Sequence, residues 1–307
     1  MNLGFVAKWF RDHWLLLWFL VLSIGWLDPQ FLGIDGRIYG AAARAWANGA
    51  DPWMAGADGY LFAAPPPSIL ATAPVLLLPQ QLDGLYGIVV ALVAALVALR
   101  ALRLAAWWLL FPPLAEGIWA GNLDAAALAL LLTRLSGAAV LAKIYAAVPL
   151  IVLGRWRAVA ASFIVLIGTA PLLPWATYLA RFPEIAATLA EQSVNPHSAY
   201  GTVLLIPTAV ALLLVGRRSA AWLAVPALWP STQPHYATLV LPVARGKAAA
   251  LLALPLPLVV PIATIAWALW RVGSAWAQAP DASSAMPTAN AIPEDAPATT
   301  DPPEASS

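Results

Sequence analysis

The sequence predicts an all-α fold, a polytopic membrane helical bundle of about 9–11 segments, some of them short or re-entrant. Three observations lead there. Of 307 residues, 62% are hydrophobic and only 10% are charged, where a soluble domain carries about 25% charged residues. Mean hydropathy is +0.78, and apolar runs recur from residue 14 to residue 270. Basic and acidic residues also sort to opposite ends of those runs, as the positive-inside rule requires. The 16 Trp suit interfacial belts. A net charge of +1 gives no basic footprint for nucleic acid, and the absence of Cys excludes disulfides, thiolate chemistry and cysteine metal sites.

Taken in order, residues 14–27 begin the first membrane helix. Lys8 and Arg11 precede it and no small-residue cleavage site follows, so it reads as a retained anchor with its basic end inside. The loop 28–67 then lies outside. It is the long polar interval of the first 180 residues, and it holds Asp28, Asp35, Asp51, Asp58, Arg37, Arg44, Tyr39 and Tyr60. Within it, 35–48 forms an amphipathic helix with Asp35 able to cap it, Asn48-Gly49 ending it and Asp51-Pro52 blocking its extension. Ile38, Ala42 and Trp46 give one apolar stripe, and such a helix is expected to lie in the headgroup plane.

Residues 68–78 are apolar but bounded and broken by prolines, which suits a re-entrant or interfacial piece. Residues 84–99 run inward to Arg100 and Arg103, 104–120 outward past Glu116 to Gly121-Asn122-Leu123-Asp124, and 125–133 back to Arg134. A short hairpin rises to Lys143 and falls to Arg155-Trp156-Arg157. Residues 158–180 go outward to a second polar loop, and 202–216 return to Arg217-Arg218. Residues 219–229 rise to WPSTQPHY, 237–244 fall to Arg245 and Lys247, and 248–270 form the last run. From about residue 278 the composition turns to Pro, Ala, Ser, Thr and acids. The division is thus a membrane-embedded domain over 1–271 and a disordered tail over 272–307.

Few residues can carry chemistry. Asp35 is either a helix cap or a general base, and Tyr39 lies one turn from it. Arg37 and Arg44 share a helix face suited to phosphates. Lys143, inside an apolar stretch, needs an anionic partner: Glu116, Asp124 or a lipid phosphate. Glu116 follows Pro112-Pro113 in another apolar run. His235 sits between Gln233 and Tyr236 in a tight outer turn. No Gly-rich phosphate loop, HExxH, metal-ligand spacing or nucleophile elbow occurs.

The order of these pieces resembles the membrane-embedded C-type glycosyltransferases, and most nearly the polyprenyl-phosphate-dependent mannosyltransferase-like proteins of glycosyltransferase family 87. The resemblance rests on Asp35 and Tyr39 after a first helix, on Gly49-Ala50-Asp51-Pro52, and on Phe62-Ala63-Ala64-Pro65-Pro66. It continues with Gly121-Asn122 opening a helix, Lys143 ahead of Pro149, Arg155-Trp156-Arg157, Asn195 to Ser198, and Ser231 to His235. It spans roughly residues 10–245. The chain departs from the family pattern in having Asn122 where Gln is usual, and Gln233-Pro234-His235-Tyr236 where an aromatic-His-His cluster is usual.

The resemblance implies an inverting hexosyltransferase, mannose-like in its sugar, in the cell inner (plasma) membrane with its active site facing the periplasm or exterior. It implies a polyprenyl-phosphate sugar donor, a glycan or glycolipid acceptor, surrounding membrane lipids, and no metal or other cofactor. Asp35 would be the catalytic base. Tyr39, Arg37, Lys143, His235, Asn122, Glu116 and Asn195 would bind substrate. Two other readings stay open: a lipid or glycolipid transporter, and an inactive relative serving envelope glycan assembly. A transporter would spread polar residues through the membrane depth, whereas here they gather at the outer ends of the runs.

Overall fold

The computed structural model describes residues 3–192, 197–230 and 233–277. It is 74% helix and 2% strand, so the fold is all-α. The chain opens with α1 (Leu3–Trp26), α2 (Ile34–Ala47), α3 (Pro67–Thr72) and α4 (Asp83–Leu102). Between α2 and α3 lies a two-stranded antiparallel hairpin, β1 (Gly56–Ala57) with β2 (Tyr60–Leu61), which pairs Gly56 with Leu61. There follow α5 (Pro112–Ala120), α6 (Asp124–Leu131), α7 (Ala139–Ala142), α8 (Ala147–Leu153) and α9 (Trp156–Thr169). The chain continues through α10 (Trp175–Ala180), α11 (Phe182–Gln192), α12 (Leu205–Leu214), α13 (Arg217–Leu228), α14 (Gly246–Leu252) and α15 (Val259–Ala277).

Among the described residues one helix, Gln80–Leu102, is long and apolar enough to cross a membrane. Two bent pairs reach that length only when joined: Asp12–Gly25 with Pro29–Ala47, bent by 84°, and Pro112–Ala120 with Asp124–Leu131, bent by 118°. The other apolar runs are shorter than expected, and proline is the physical reason. It lacks an N–H and clashes with the preceding turn. The run 104–120 splits at Phe111-Pro112-Pro113 into a 3-10 turn (Ala106–Leu110) and α5. The run 158–180 splits around Pro171 and Pro174 into α9 and α10. The run 248–270 splits around Pro255 and Pro257 into α14 and α15, and α15 carries on to Ala277, past the expected boundary at 271. The remainder of the expected tail lies outside the described residues. Residues 67–77 form α3 and a 3-10 turn, a piece too short to cross.

The polar interval 28–67 is not a loose loop. Asp28 and Asp51 each accept a bond from the backbone N–H two residues on and so start 3-10 turns at Pro29 and Pro52. Helix α2 is also not a surface helix. Ile34, Ile38, Tyr39, Ala42 and Ala43 are all buried in the core. Its glycines Gly33, Gly36 and Gly40 recur at helical spacing and leave one side without Cβ atoms. That side presses on the start of α4: a Cβ on Gly36 would come within 2.7 Å of the Asp83 carbonyl oxygen, and one on Gly33 within 2.8 Å of Gly84 Cα. Gly87 of α4 in turn touches both Gly36 and the turn at Gly121.

One ion pair secures this junction. Arg44 of α2 places Nη2 2.6 Å from Asp83 Oδ1 and also donates to the carbonyls of Val75 and Leu78. The expectation that Arg44 shares a phosphate-binding face with Arg37 therefore fails, because its guanidinium is spent inside the protein. Asp83 is buried, so removing Arg44 would leave an uncompensated charge at a cost of about 3–5 kcal/mol.

Gly87→Ala should destabilise the protein by about 1–3 kcal/mol, since its Cβ would meet backbone rather than a movable side chain. Gly168→Ala, with nothing within 4 Å, should not destabilise it. Thermal unfolding of both variants in one detergent checks this, and equal melting temperatures would show that α2 and α4 do not need the contact.

Candidate active site

Short helices end at one place, and their broken ends deliver the polar residues. Asp35 sits in the first turn of α2, but it does not cap the helix. Gly33, at φ +68°, occupies the cap position without a side-chain bond, and the Asp35 carboxylate is free to face inward. Tyr39 follows one turn later on the same side. Between α5 and α6, Gly121 takes a left-handed conformation (φ +75°) that ends α5, and Asn122 lies at the bend. Its Oδ1 accepts from the Asp124 N–H at 3.0 Å, which orients the amide. Its Nδ2 then donates to Asp35 Oδ2 at 2.6 Å and lies 3.0 Å from His235 Nε2.

Lys143 is delivered by another break. It is extended (φ −149°, ψ 123°) between α7 and a 3-10 turn at Ile144–Ala146, so its side chain turns into the protein rather than along a helix. Its Nζ lies 3.4 Å from Asp124 Oδ1 and 5.6 Å from the centres of the Tyr39 and Tyr236 rings. The Tyr145 hydroxyl donates a very short hydrogen bond to the same Asp124 oxygen. Of the two carboxylates foreseen as partners for Lys143, Asp124 and not Glu116 pairs with it.

Asp35, Tyr39, Asn122, Lys143 and His235 line one cavity of about 270 Å³. Its other walls are mostly apolar or aromatic, among them Phe62, Ile144, Phe182, Ile185, Leu189 and Trp229, with Gln233 at one side. Two expected binding residues do not line it. Arg37 is not at the cavity: its Nη2 pairs with Asp58 Oδ2 at 2.7 Å and its Nη1 donates to the Leu32 carbonyl, because its position on α2 points to the hairpin side. Glu116 does not line the cavity but backs it, with Oε1 3.3 Å from His235 Nδ1. Asn195 lies outside the described residues. Sequence reasoning passed over Asp124 as a site residue in its own right, together with Tyr145 and Tyr236. The signal for Asp124 was present in Asn122-Leu123-Asp124, an Asn two residues ahead of an acid at the start of an apolar helix.

His235 lies in a 3-10 turn (Pro234–Val240) outside the apolar helices and is 2% exposed. Burial pushes its imidazole pKa down, but the carboxylates of Glu116, Asp124 and Asp35 outweigh burial and raise it to about 9. The Asn122 contact opposes that charge, since Asn122 Nδ2 is a donor and requires a bare Nε2. The charges decide. Three carboxylates face one ammonium here, and a buried charge imbalance outweighs a single neutral hydrogen bond of about 1 kcal/mol. The ring is then an imidazolium at neutral pH. Its Nε2 lies 4.0 Å from Asp124 Oδ2, a buried oxygen without a hydrogen-bond partner among the described residues.

The arrangement presents a carboxylate held through one oxygen, an ammonium and an imidazolium, all on one small cavity. That set can take a proton from a hydroxyl and hold an anion. Among the described residues no group of three or more His, Asp or Glu side chains is disposed to hold a metal ion. Comparison of the chain with models of known protein families, with curated proteins and with solved structures finds no match.

The His235 pKa is raised from 6.5 to about 9 on folding. Its contribution to stability is therefore complete below pH 6.5 and is lost as pH rises through about 9. Glu116→Gln should flatten the stability profile across that window by removing the nearest carboxylate. Urea or thermal unfolding at several pH values checks this, and a slope identical to the parent would rule out Glu116 as the source of the shift.

Proposed function

We propose that this chain is a polytopic integral-membrane glycosyltransferase with a C-type glycosyltransferase-like architecture, similar to family 87. It moves a hexose, mannose-like, from a polyprenyl-phosphate sugar to an acceptor hydroxyl at the outer face of the cell inner membrane. The observation that carries this reading is the meeting of Asp35, Lys143 and His235 on one cavity of about 270 Å³. Ligand pockets run from about 300 Å³ upward, so this one suits a single sugar ring, with the first part of the donor lipid against the apolar wall of Ile144, Phe182, Ile185 and Leu189.

The chemistry follows from those groups. Asp35 accepts the proton of the acceptor hydroxyl as its oxygen attacks the anomeric carbon. The bond from that carbon to the phosphate oxygen breaks on the opposite face, and the electron pair leaves with the phosphate. The configuration inverts through an oxocarbenium-like transition state, so a β-linked donor gives an α-linked product. Lys143 and His235 counter the charge growing on the phosphate, the electrostatic contribution that usually dominates. The hydrogen bond from Asn122 aims Asp35, and Glu116 holds His235. Arg37, tied to Asp58, has no part.

The outer-face assignment is supported by α4. Its Asp83 end packs on α2 and on Gly121 beside Asn122, while its other end carries Arg100 and Arg103. Twenty residues of helix span about 30 Å, so the cavity is near the acidic end, away from the arginines that the positive-inside rule assigns to the cytoplasm. The shorter apolar helices pair or re-enter to complete the bundle, which is possible where breaks are buried in protein or line a cavity.

Asp35→Asn keeps an oxygen to accept from Asn122 but removes the base. It should lower transfer from a labelled polyprenyl-phosphate sugar by about 10²–10⁴-fold without loss of folded protein. Unchanged transfer would sink the assignment. The chain has no Cys, so single cysteines report sidedness cleanly. A cysteine at the exposed Ala50 should react with an impermeant maleimide in intact cells, whereas one at the exposed Leu135 should react only after permeabilisation. The reverse pattern would overturn the topology.

A further inference from the structure

Helices α6 and α8 both begin at the site, at Asp124 and just after Tyr145, and both lead to a second concavity. There Arg134, Arg155, Trp156 and Arg157 surround an open groove of about 660 Å³ floored by Ser136, Gly137 and Gly154. Arg217 packs its guanidinium end over Gly154, where a Cβ would stand, and donates to the Val152 carbonyl at 2.5 Å. Arg155 is braced by the Leu131 carbonyl at 3.0 Å. Arg134 and Arg157 have no partner among the described residues, and no described carboxylate pairs with any of these four arginines. A cationic concavity without internal counter-charge attracts an anion.

The surroundings say which kind. Trp156 stands 65% exposed at the rim, the preferred setting of Trp at a membrane interface. Arg157 heads a face of α9 that continues through Ala160, Ile164 and Ile167, three and four residues apart. Ile164 and Ile167 are about 70% exposed, and Phe163 beside them 60%. Leu135 and Ile151, flanking the groove, are exposed as well. Cations at the head of an uncovered apolar stripe match a molecule that has a phosphate at one end and hydrocarbon at the other. The positive-inside rule accounts for arginines on this side, but it does not require them to ring a concavity continuous with bare apolar helix.

We propose that this groove binds the phosphate headgroup of an anionic membrane lipid, with the acyl chains lying along the exposed face of α9. The site is separate from the cavity at Asp35. It rests on the membrane embedding proposed above and not on the sugar-transfer chemistry.

The test uses the full chain purified in a neutral detergent and titrated with dioleoylphosphatidylglycerol, with dioleoylphosphatidylcholine, or with inorganic phosphate. Bound lipid is counted by native mass spectrometry, and the melting temperature is followed in parallel. The anionic lipid should bind and raise the melting temperature, and the other two should not. Arg134→Gln with Arg157→Gln should weaken that binding about tenfold or more through the loss of two cationic contributions. If the double variant fails to fold, Arg157→Gln alone, at an exposed side chain, serves instead with a smaller but measurable loss. Equal binding by parent and variant, or equal binding of the zwitterionic lipid, would overturn the proposal. An equal shift with inorganic phosphate would overturn the lipid as the source. Sugar transfer is not read in this assay, so its failure leaves Asp35 untouched. Release of the protein from membranes by alkaline carbonate would instead remove the embedding on which both readings stand.

Discussion

A carboxylate with no solvent exposure, Asp124, organises the polar half of this protein. Placing a bare charge in such surroundings costs several kcal/mol unless partners close around it. Lys143, Tyr145 and the imidazole of His235 are those partners, and they come from two separate parts of the chain. The need to satisfy one buried charge therefore draws the start of α6, the break after α7 and the 3-10 turn at Pro234–Val240 to a common point. Lys143 can sit in an apolar stretch because Asp124 meets it there, and the rings of Tyr39 and Tyr236 flank its ammonium.

A second constraint is steric and brings Asp35 to that point. The glycines of α2 let it close on the start of α4, and Gly87 of α4 closes in turn on Gly121. Three backbones meet with no side chain between them. Asp35 and Asn122, carried on two of those backbones, come within hydrogen-bonding distance as a result. Arg44 and Asp83 then lock the junction from the side. Close packing and charge pairing thus act on neighbouring parts of one site, the first setting its geometry and the second its electrostatics.

The prolines explain why the helices are so short and why that is compatible with function. Each break exposes backbone groups that need partners, and breaks are tolerated in an apolar setting where protein or a polar cavity supplies them. Asn122 and Lys143 stand at two further breaks, made without proline by the left-handed Gly121 and by the extended backbone of Lys143 itself. A long uninterrupted helix would point its side chains along its own surface and could not present them end-on to a common space.

Composition and the recurrence of apolar runs were enough to specify helices throughout, because only helices satisfy their own backbone within an apolar segment. Chemistry was legible residue by residue where it violated its surroundings: Asp35 and Tyr39 in a polar interval, Lys143 and Glu116 in apolar runs, His235 beside a turn. Which of these meet was not legible. Arg37 and Arg44 looked equivalent seven residues apart, yet one pairs with Asp58 at the surface and the other is buried against Asp83. Asp124 stood out only as one of several candidate partners for Lys143, and Tyr145 and Tyr236 looked ordinary until packing brought them around it. The reason is that a helix period records which face is apolar, but a polar contact is decided by where a chain breaks and by what approaches across the break. Those are long-range facts, set between Asp35 and Asn122, 87 residues apart, and between Asn122 and His235, 113 apart, and no local pattern in the chain encodes them.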